Sequence, residues 1–87
     1  MGVASHFVYI LKCSDGTLYT GYTTDVNRRL RQHNARKGAK YTKSRTPVEL
    51  AFKERFRRRG DALRREIQIK GMSRSSKLLL CARYSRT

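Results

Sequence analysis

Two runs rich in aromatic and β-branched residues, His6 to Lys12 (HFVYILK) and Thr17 to Thr23 (TLYTGYT), flank Ser14-Asp15-Gly16. Strand side chains alternate between faces, and a short Asp-Gly link reverses the chain, so this segment predicts a β-hairpin. Alternation sets Phe7, Tyr9 and Leu11 on one face of the first strand, and Tyr19 with Gly21 on one face of the second.

Beyond the hairpin, Thr24 or Asp25 is a suitable N-cap, and Val26, Leu30 and His33 recur at helical spacing as far as Gly38. Lys37 to Pro47 (KGAKYTKSRTP) reads as an exposed basic loop. Pro47 keeps its predecessor out of helical geometry, and Val48 to Phe56 (VELAFKERF) alternates as a third strand. Arg57-Arg58-Arg59-Gly60 interrupts it. Asp61 is the expected cap of a second helix, Ala62 to Lys70, ended by Gly71; Ser73 opens a third, with Leu78, Leu79, Leu80 and Cys81 supplying apolar contacts. Arg83 to Thr87 is expected to be a loose tail. The order ββαβαα predicts an α+β fold in which helices cover a small, mostly antiparallel sheet. At 87 residues the expectation is one domain over 1–87, its core spanning about 6–82, with one layer of side chains between sheet and helices and no deep enclosed pocket.

Charge constrains function. Lys and Arg number 21 against 6 Asp and Glu, a formal net charge of +15. A compact chain tolerates such self-repulsion best beside a polyanion, and nucleic acid is the leading partner, DNA ahead of RNA. Each phosphate neutralised releases counterions, so binding should fall steeply with salt even without sequence preference. A membrane surface is the competing polyanion, but no segment pairs a basic face with a broad apolar one, and no lipidation signal is present. The longest apolar run, Leu78 to Ala82, is far short of the roughly 18 residues that cross a bilayer, and no secretory-type leader is read. A cytoplasmic protein, monomeric or weakly dimeric, is expected. Cys13 and Cys81 lack a CxxC partner, which fits reduced core thiols, and two Cys with two scattered His lack the spacing of a structural metal site.

Several polar residues fall where apolar ones belong. In the second helix Ala62, Leu63, Ile67 and Ile69 form one apolar arc, and Glu66 lies inside it. A carboxylate there loses hydration unless compensated. Two readings are open: an i,i+4 pair with Lys70, and a carboxylate at the rim of a site, aimed at a cation. In the first helix His33 lies within the buried arc and Arg29 at its edge, whereas Arg28 and Arg31 point elsewhere. Arg29 either lays its methylenes over the sheet or faces a site. Tyr9 and Tyr19 are either a packing pair or part of a surface where the missing side chain of Gly21 lets a ligand backbone come close.

Taken together, Tyr9, Tyr19-Thr20-Gly21, Arg29 and Glu66 resemble the GIY-YIG nuclease superfamily from about His6 to Lys70. Phe7-Val8-Tyr9 matches the first triplet and Tyr19-Thr20-Gly21 the second, without the first glycine and the central isoleucine. LYTGYTTDVNRRLRQHN, GAKYTKSRTPVEL and ALRREIQIK are similar to the small single-domain bacterial branch, the UPF0213 or YhbQ-like proteins. The resemblance implies a three-stranded antiparallel sheet flanked by helices and phosphodiester cleavage with one divalent ion, magnesium or manganese. It implies Glu66 as the metal ligand, Arg29 on the scissile phosphate, Tyr9 and Tyr19 lining the attack site with one helping to deprotonate water, and His33 passing a proton. Where several nucleases of the superfamily carry an asparagine in a later helix, this chain has Ser75, Ser76 and Lys77.

These side-chain types suit the chemistry. Charge develops on phosphate oxygens during hydrolysis, and a permanently charged guanidinium with a hard, oxygen-liganded cation stabilises it. A tyrosine of ordinary pKa is a poor base at neutral pH, so Arg29 and the ion are expected to favour its phenolate. The leading expectation is a metal-dependent endonuclease for DNA, with branched, nicked or damaged substrates as candidates. The alternatives are a catalytically weak nucleic-acid-binding module and a structured-RNA binder. All use Arg28, Lys37, Lys40, Lys43, Arg45 and Arg57, Arg58 and Arg59 as phosphate contacts.

Overall fold

In the computed structural model, which describes residues 5–86, Asp15 closes the hairpin by accepting from the Thr17 amide (3.1 Å) and hydroxyl (2.6 Å). The strands are β1 (His6–Lys12), β2 (Leu18–Thr23) and β3 (Glu49–Phe56), all antiparallel in the order β2-β1-β3. Helices α1 (Val26–Asn34), α2 (Lys40–Lys43), α3 (Arg59–Lys70) and α4 (Arg74–Ser85) complete an α+β fold.

β1 is central, and Val8 to Leu11 are all buried because both of its faces are covered. On one face Val8 and Ile10 pack with Phe52 of β3 and with Ala62 and Ile69 of α3; Leu80, Cys81 and Tyr84 of α4 close over them. On the other, Tyr9 and Leu11 pack with Cys13, Val48, Tyr19, Leu50 and Leu30 of α1. The single layer expected from chain length is therefore two thin layers, because an unbroken apolar strand leaves no face for water. The short run at Ile10/Leu11 where β3 slips register places Ala51 as the extra residue.

The local signals hold in part. Asp25 caps α1 by accepting from the Arg28 amide at 3.0 Å, and Ser73 caps α4 by accepting from Ser76. α1 ends at Asn34, before Gly38, and Arg36 follows at φ 63°. Asn34 instead clamps the start of β3, donating to the Val48 carbonyl (3.0 Å) and accepting its amide (2.7 Å). α3 begins at Arg59, with Arg58 as a cap that makes no side-chain bond, while Asp61 lies in the first turn and pairs with Arg64. Ile67 is exposed despite its place in the apolar arc. The tail through Ser85 is helical, because Tyr84 packs on Phe52; Thr87 lies outside the described residues. The largest departure is the basic loop, which contains α2 and buries Thr42 completely.

Thr20 faces the α3 side of the sheet, 4% exposed, and its hydroxyl has no hydrogen-bond partner among the described residues. An unsatisfied buried hydroxyl opposes folding. Thr20→Val is expected to stabilise the protein by about 1 kcal/mol, roughly 4–8 °C in a thermal melt for a domain of this size. A lower melting temperature would contradict it.

Candidate active site

Tyr9 stands opposite Gly21 in the β1/β2 ladder, and Leu11 opposite Tyr19. A Cβ on Gly21 would lie 2.5 Å from the Tyr9 hydroxyl, so the space left by the missing side chain is filled by that phenol. The close approach at Gly21 is thus made by Tyr9, where a ligand backbone was the alternative. Tyr19 lies beside it, ring centroids 6.4 Å apart.

α1 brings His33 beneath this pair. Its imidazole is fully buried, with Nε2 3.0 Å from the Tyr9 hydroxyl and Nδ1 2.7 Å from Thr42 Oγ1. Tyr19 covers the ring at a centroid distance of 5.3 Å, and the Gly38 backbone presses so closely that any Cβ there would collide with it. The α1–α2 connection therefore needs glycine at Gly38 for packing against His33 rather than to end a helix. α2 also stacks Tyr41 on Tyr19 at 5.8 Å.

Arg29, half-buried on the same helix, donates to Gln32 Oε1 at 3.1 Å and lies against the Tyr9 hydroxyl. Arg28 and Arg31 are exposed, as their helical positions require. Burial pushes the Tyr9 phenol up to about 12, outweighing the neighbouring Arg29, which favours phenolate; the charges of Tyr19 and Glu66 push it further up. The expected activation by Arg29 is present, but in the protein alone desolvation is the larger effect. Burial, and secondarily the charge of Arg29, lowers His33 to about 4, so its imidazole is neutral at physiological pH.

Glu66 realises the ion-pair reading: Oε2 is 3.2 Å from Lys70 Nζ. The acid is nevertheless 16% exposed while the ammonium is 54% exposed, and Glu66 is close enough for its charge to act on Tyr9. A pair this open at one end contributes little and exchanges readily. Among the described residues no group of three or more His, Cys, Asp or Glu converges, so there is no multidentate cage. A single, largely buried carboxylate whose charge acts on Tyr9 does fit magnesium, which retains most of its waters and needs few protein oxygens.

Of the basic residues, Arg28, Lys37, Lys40, Lys43, Arg57, Arg58 and Arg59 are exposed, Arg59 lying 6.0 Å over the Tyr22 ring. Arg45 differs. It is bound to Asp15 (3.0 Å) and the Tyr41 carbonyl (2.7 Å) and stacks over the Tyr41 ring at 4.0 Å, tying α2 to the hairpin turn. Its charge is already engaged. Sequence reasoning passed over Thr42, Tyr41, Gln32 and Asn34 and read Gly38 only as a helix stop; only the i,i+3 spacing of Gln32 from Arg29 offered a signal. A separate groove of about 400 Å³ between the hairpin and α4 is lined by Leu18, Leu50, Leu78, Cys81 and Tyr84. It contains none of the site residues, and a long polyanion requires an open surface rather than an apolar cleft.

The fold, and a family match that implies nuclease-like activity, set the class of this domain. Residues 5–79 match the GIY-YIG catalytic domain, and the chain belongs to that family, whose nucleases act on nucleic acid and generally depend on a divalent ion. Its relatives are UPF0213 proteins: one from Staphylococcus haemolyticus and one from Staphylococcus aureus are each 57% identical over 76 residues, covering 87% of this chain and 93% of theirs. The solution NMR structure of a UPF0213 protein from Bacillus halodurans is 47% identical with a TM-score of 0.59, covering 90% of this chain and 83% of that one. A protein from E. faecalis, also solved by NMR, is 38% identical with a TM-score of 0.63 over 95% and 88%. No helix among the described residues is long and apolar enough to cross a membrane.

Proposed function

We propose that the protein is a divalent-metal-dependent endonuclease hydrolysing phosphodiester bonds in DNA, on branched, nicked or damaged substrates. The observation that carries this reading is the Tyr9 hydroxyl held between a guanidinium and a neutral imidazole. Arg29 holds a nonbridging phosphate oxygen. Tyr9 takes a proton from water as its own proton passes to His33 Nε2; the hydroxide attacks phosphorus, the bond to the leaving oxygen breaks, and that oxygen takes a proton from solvent. Concerted transfer avoids a free phenolate, which burial disfavours. Tyr19, half-buried, lines the approach. Glu66 would hold magnesium or manganese, and the bound ion supplies positive charge against the oxygens where negative charge grows.

Lys37, Lys40, Lys43, Arg28 and Arg57 to Arg59 are the phosphate contacts in this reading, and Arg45 serves the fold. A domain of this size recognises DNA shape rather than a long sequence, acts as a monomer or weak dimer at +15, and works in the cytoplasm. A second reading, a binding module with little turnover, is favoured by one observation: the donor phenol near 12 and acceptor imidazole near 4 make stepwise proton transfer steeply uphill.

Supercoiled, branched and single-stranded DNA, incubated with magnesium, manganese or chelator, separates the two. Ion-dependent nicking is expected. Tight, salt-sensitive binding without cleavage of any substrate would favour the binding module, and a preference for structured RNA in a parallel gel shift would shift the substrate class.

A further inference from the structure

One direction of the hydrogen bonds around His33 gives every hydrogen an acceptor. The Thr42 hydroxyl carries one hydrogen, and its oxygen lies 3.0 Å from the Ala39 carbonyl, an acceptor only. With that hydrogen donated to Ala39, Thr42 Oγ1 must accept at its 2.7 Å contact, which places a proton on His33 Nδ1. Nε2 is then unprotonated and accepts the Tyr9 O–H across 3.0 Å. The far end agrees, because the guanidinium beside Tyr9 can only donate, leaving the phenolic hydrogen free to point at Nε2. The chain thus begins at a donor-only group, ends at an acceptor-only group and leaves no hydrogen misplaced.

We infer that Thr42 is a positioning residue that holds His33 in the Nδ1–H tautomer, with Nε2 directed to receive the Tyr9 proton. Two features make the assignment specific to this side chain. Thr42 is fully buried, so water does not substitute for its hydroxyl, and back-bonding to the carbonyl three residues earlier is a habitual threonine geometry in helices. The ring is also caged, by Gly38 on one side and Tyr19 on another, so it cannot turn to find another acceptor. The short helix α2 thereby has a purpose beyond packing: it delivers one hydroxyl to the back of the imidazole. In the transfer, the Tyr9 O–H bond breaks and an Nε2–H bond forms, giving an imidazolium whose second proton was on Nδ1 from the start.

The inference rests on the hydrolytic reading for its purpose, though its test does not. Long-range proton–nitrogen correlation spectra of uniformly 15N-labelled protein, without DNA or metal, report which ring nitrogen of His33 is protonated. The wild type and Thr42→Ser are expected to show Nδ1–H, whereas Thr42→Val, nearly isosteric, moves the proton to Nε2. A wild-type Nε2–H ring, or a Thr42→Val ring still protonated at Nδ1, would overturn the inference. In cleavage assays Thr42→Val is expected to lose roughly 10–100-fold and Thr42→Ser to recover most of it, as for other residues that orient a catalytic group. Equal losses in both variants would assign Thr42 to packing alone. Should no substrate be cleaved at all, the spectra still decide the tautomer, and only the hydrolytic reading fails.

Discussion

Arg29→Ala and Glu66→Gln are each expected to lower magnesium-dependent cleavage by roughly 10²–10³-fold while leaving low-salt DNA binding nearly intact. Charge complementarity to a transition state is worth most where the donor is fixed in advance, and Arg29 is held by Gln32 against the phenol it serves. Binding, in contrast, is summed over a surface of exposed lysines and arginines within a total of +15, so losing one cation changes it little. Glu66→Gln keeps the size of the side chain and removes the charge proposed to hold the ion, so weaker cleavage should be partly restored by raising the ion concentration. Initial rates of plasmid nicking and gel shifts on the same preparations check both halves. Variants that cut like the wild type would remove the site from these residues, and variants that lose binding in parallel with cleavage would make them general phosphate contacts.

The second large effect is on stability below neutrality. His33 titrates near 4 in the folded chain against about 6.5 when unfolded, so between those values the unfolded state binds more protons. Stability therefore rises with pH across this window: it is fully present above about 6.5 and is lost as pH falls toward 4. The difference in pKa corresponds to about 3 kcal/mol at full extent, a large share of what a domain this small possesses. Tyr9, displaced to about 12, is protonated throughout this range, and Asp15, held below the usual carboxylate range by Thr17, responds only at lower pH. Urea unfolding at pH 7 and pH 4.5 should show the loss in the wild type, and His33→Gln should flatten the dependence even though it starts less stable. A wild type equally stable at both values would contradict a neutral, buried His33.

Much of this architecture was legible because the responsible signals are local. The HFVYILK and TLYTGYT runs, Asp25, Ser73 and Gly71 fix strands and helix ends through their own backbone chemistry, and the structure follows them. Arg29 and Glu66 stood out as polar residues on apolar arcs; Arg29 lies against the Tyr9 hydroxyl, and the charge of Glu66 acts on it. α2 was hidden for the opposite reason. Lys37, Lys40 and Lys43 give the segment the composition of a solvated loop, yet Thr42 and Gly38 are specified by His33, a residue on another helix. No periodicity within KGAKYTKSRTP encodes that demand. Asn34 was equally silent, since its partner is the backbone of Val48. Asp61 misled because a good capping residue within the first turn of a helix looks the same in sequence as one at its start.

The placement of Tyr9 on the central strand carries a dynamic consequence. β1 is paired along both edges and covered on both faces, so its amides should exchange with solvent only when the whole molecule opens. Arg29 and the lysines of α2 sit on short helices at the periphery, where partial fraying is cheap. The Tyr9 phenol is thus tethered to the segment that lets go last, and the groups meeting it there are free to breathe around a fixed point.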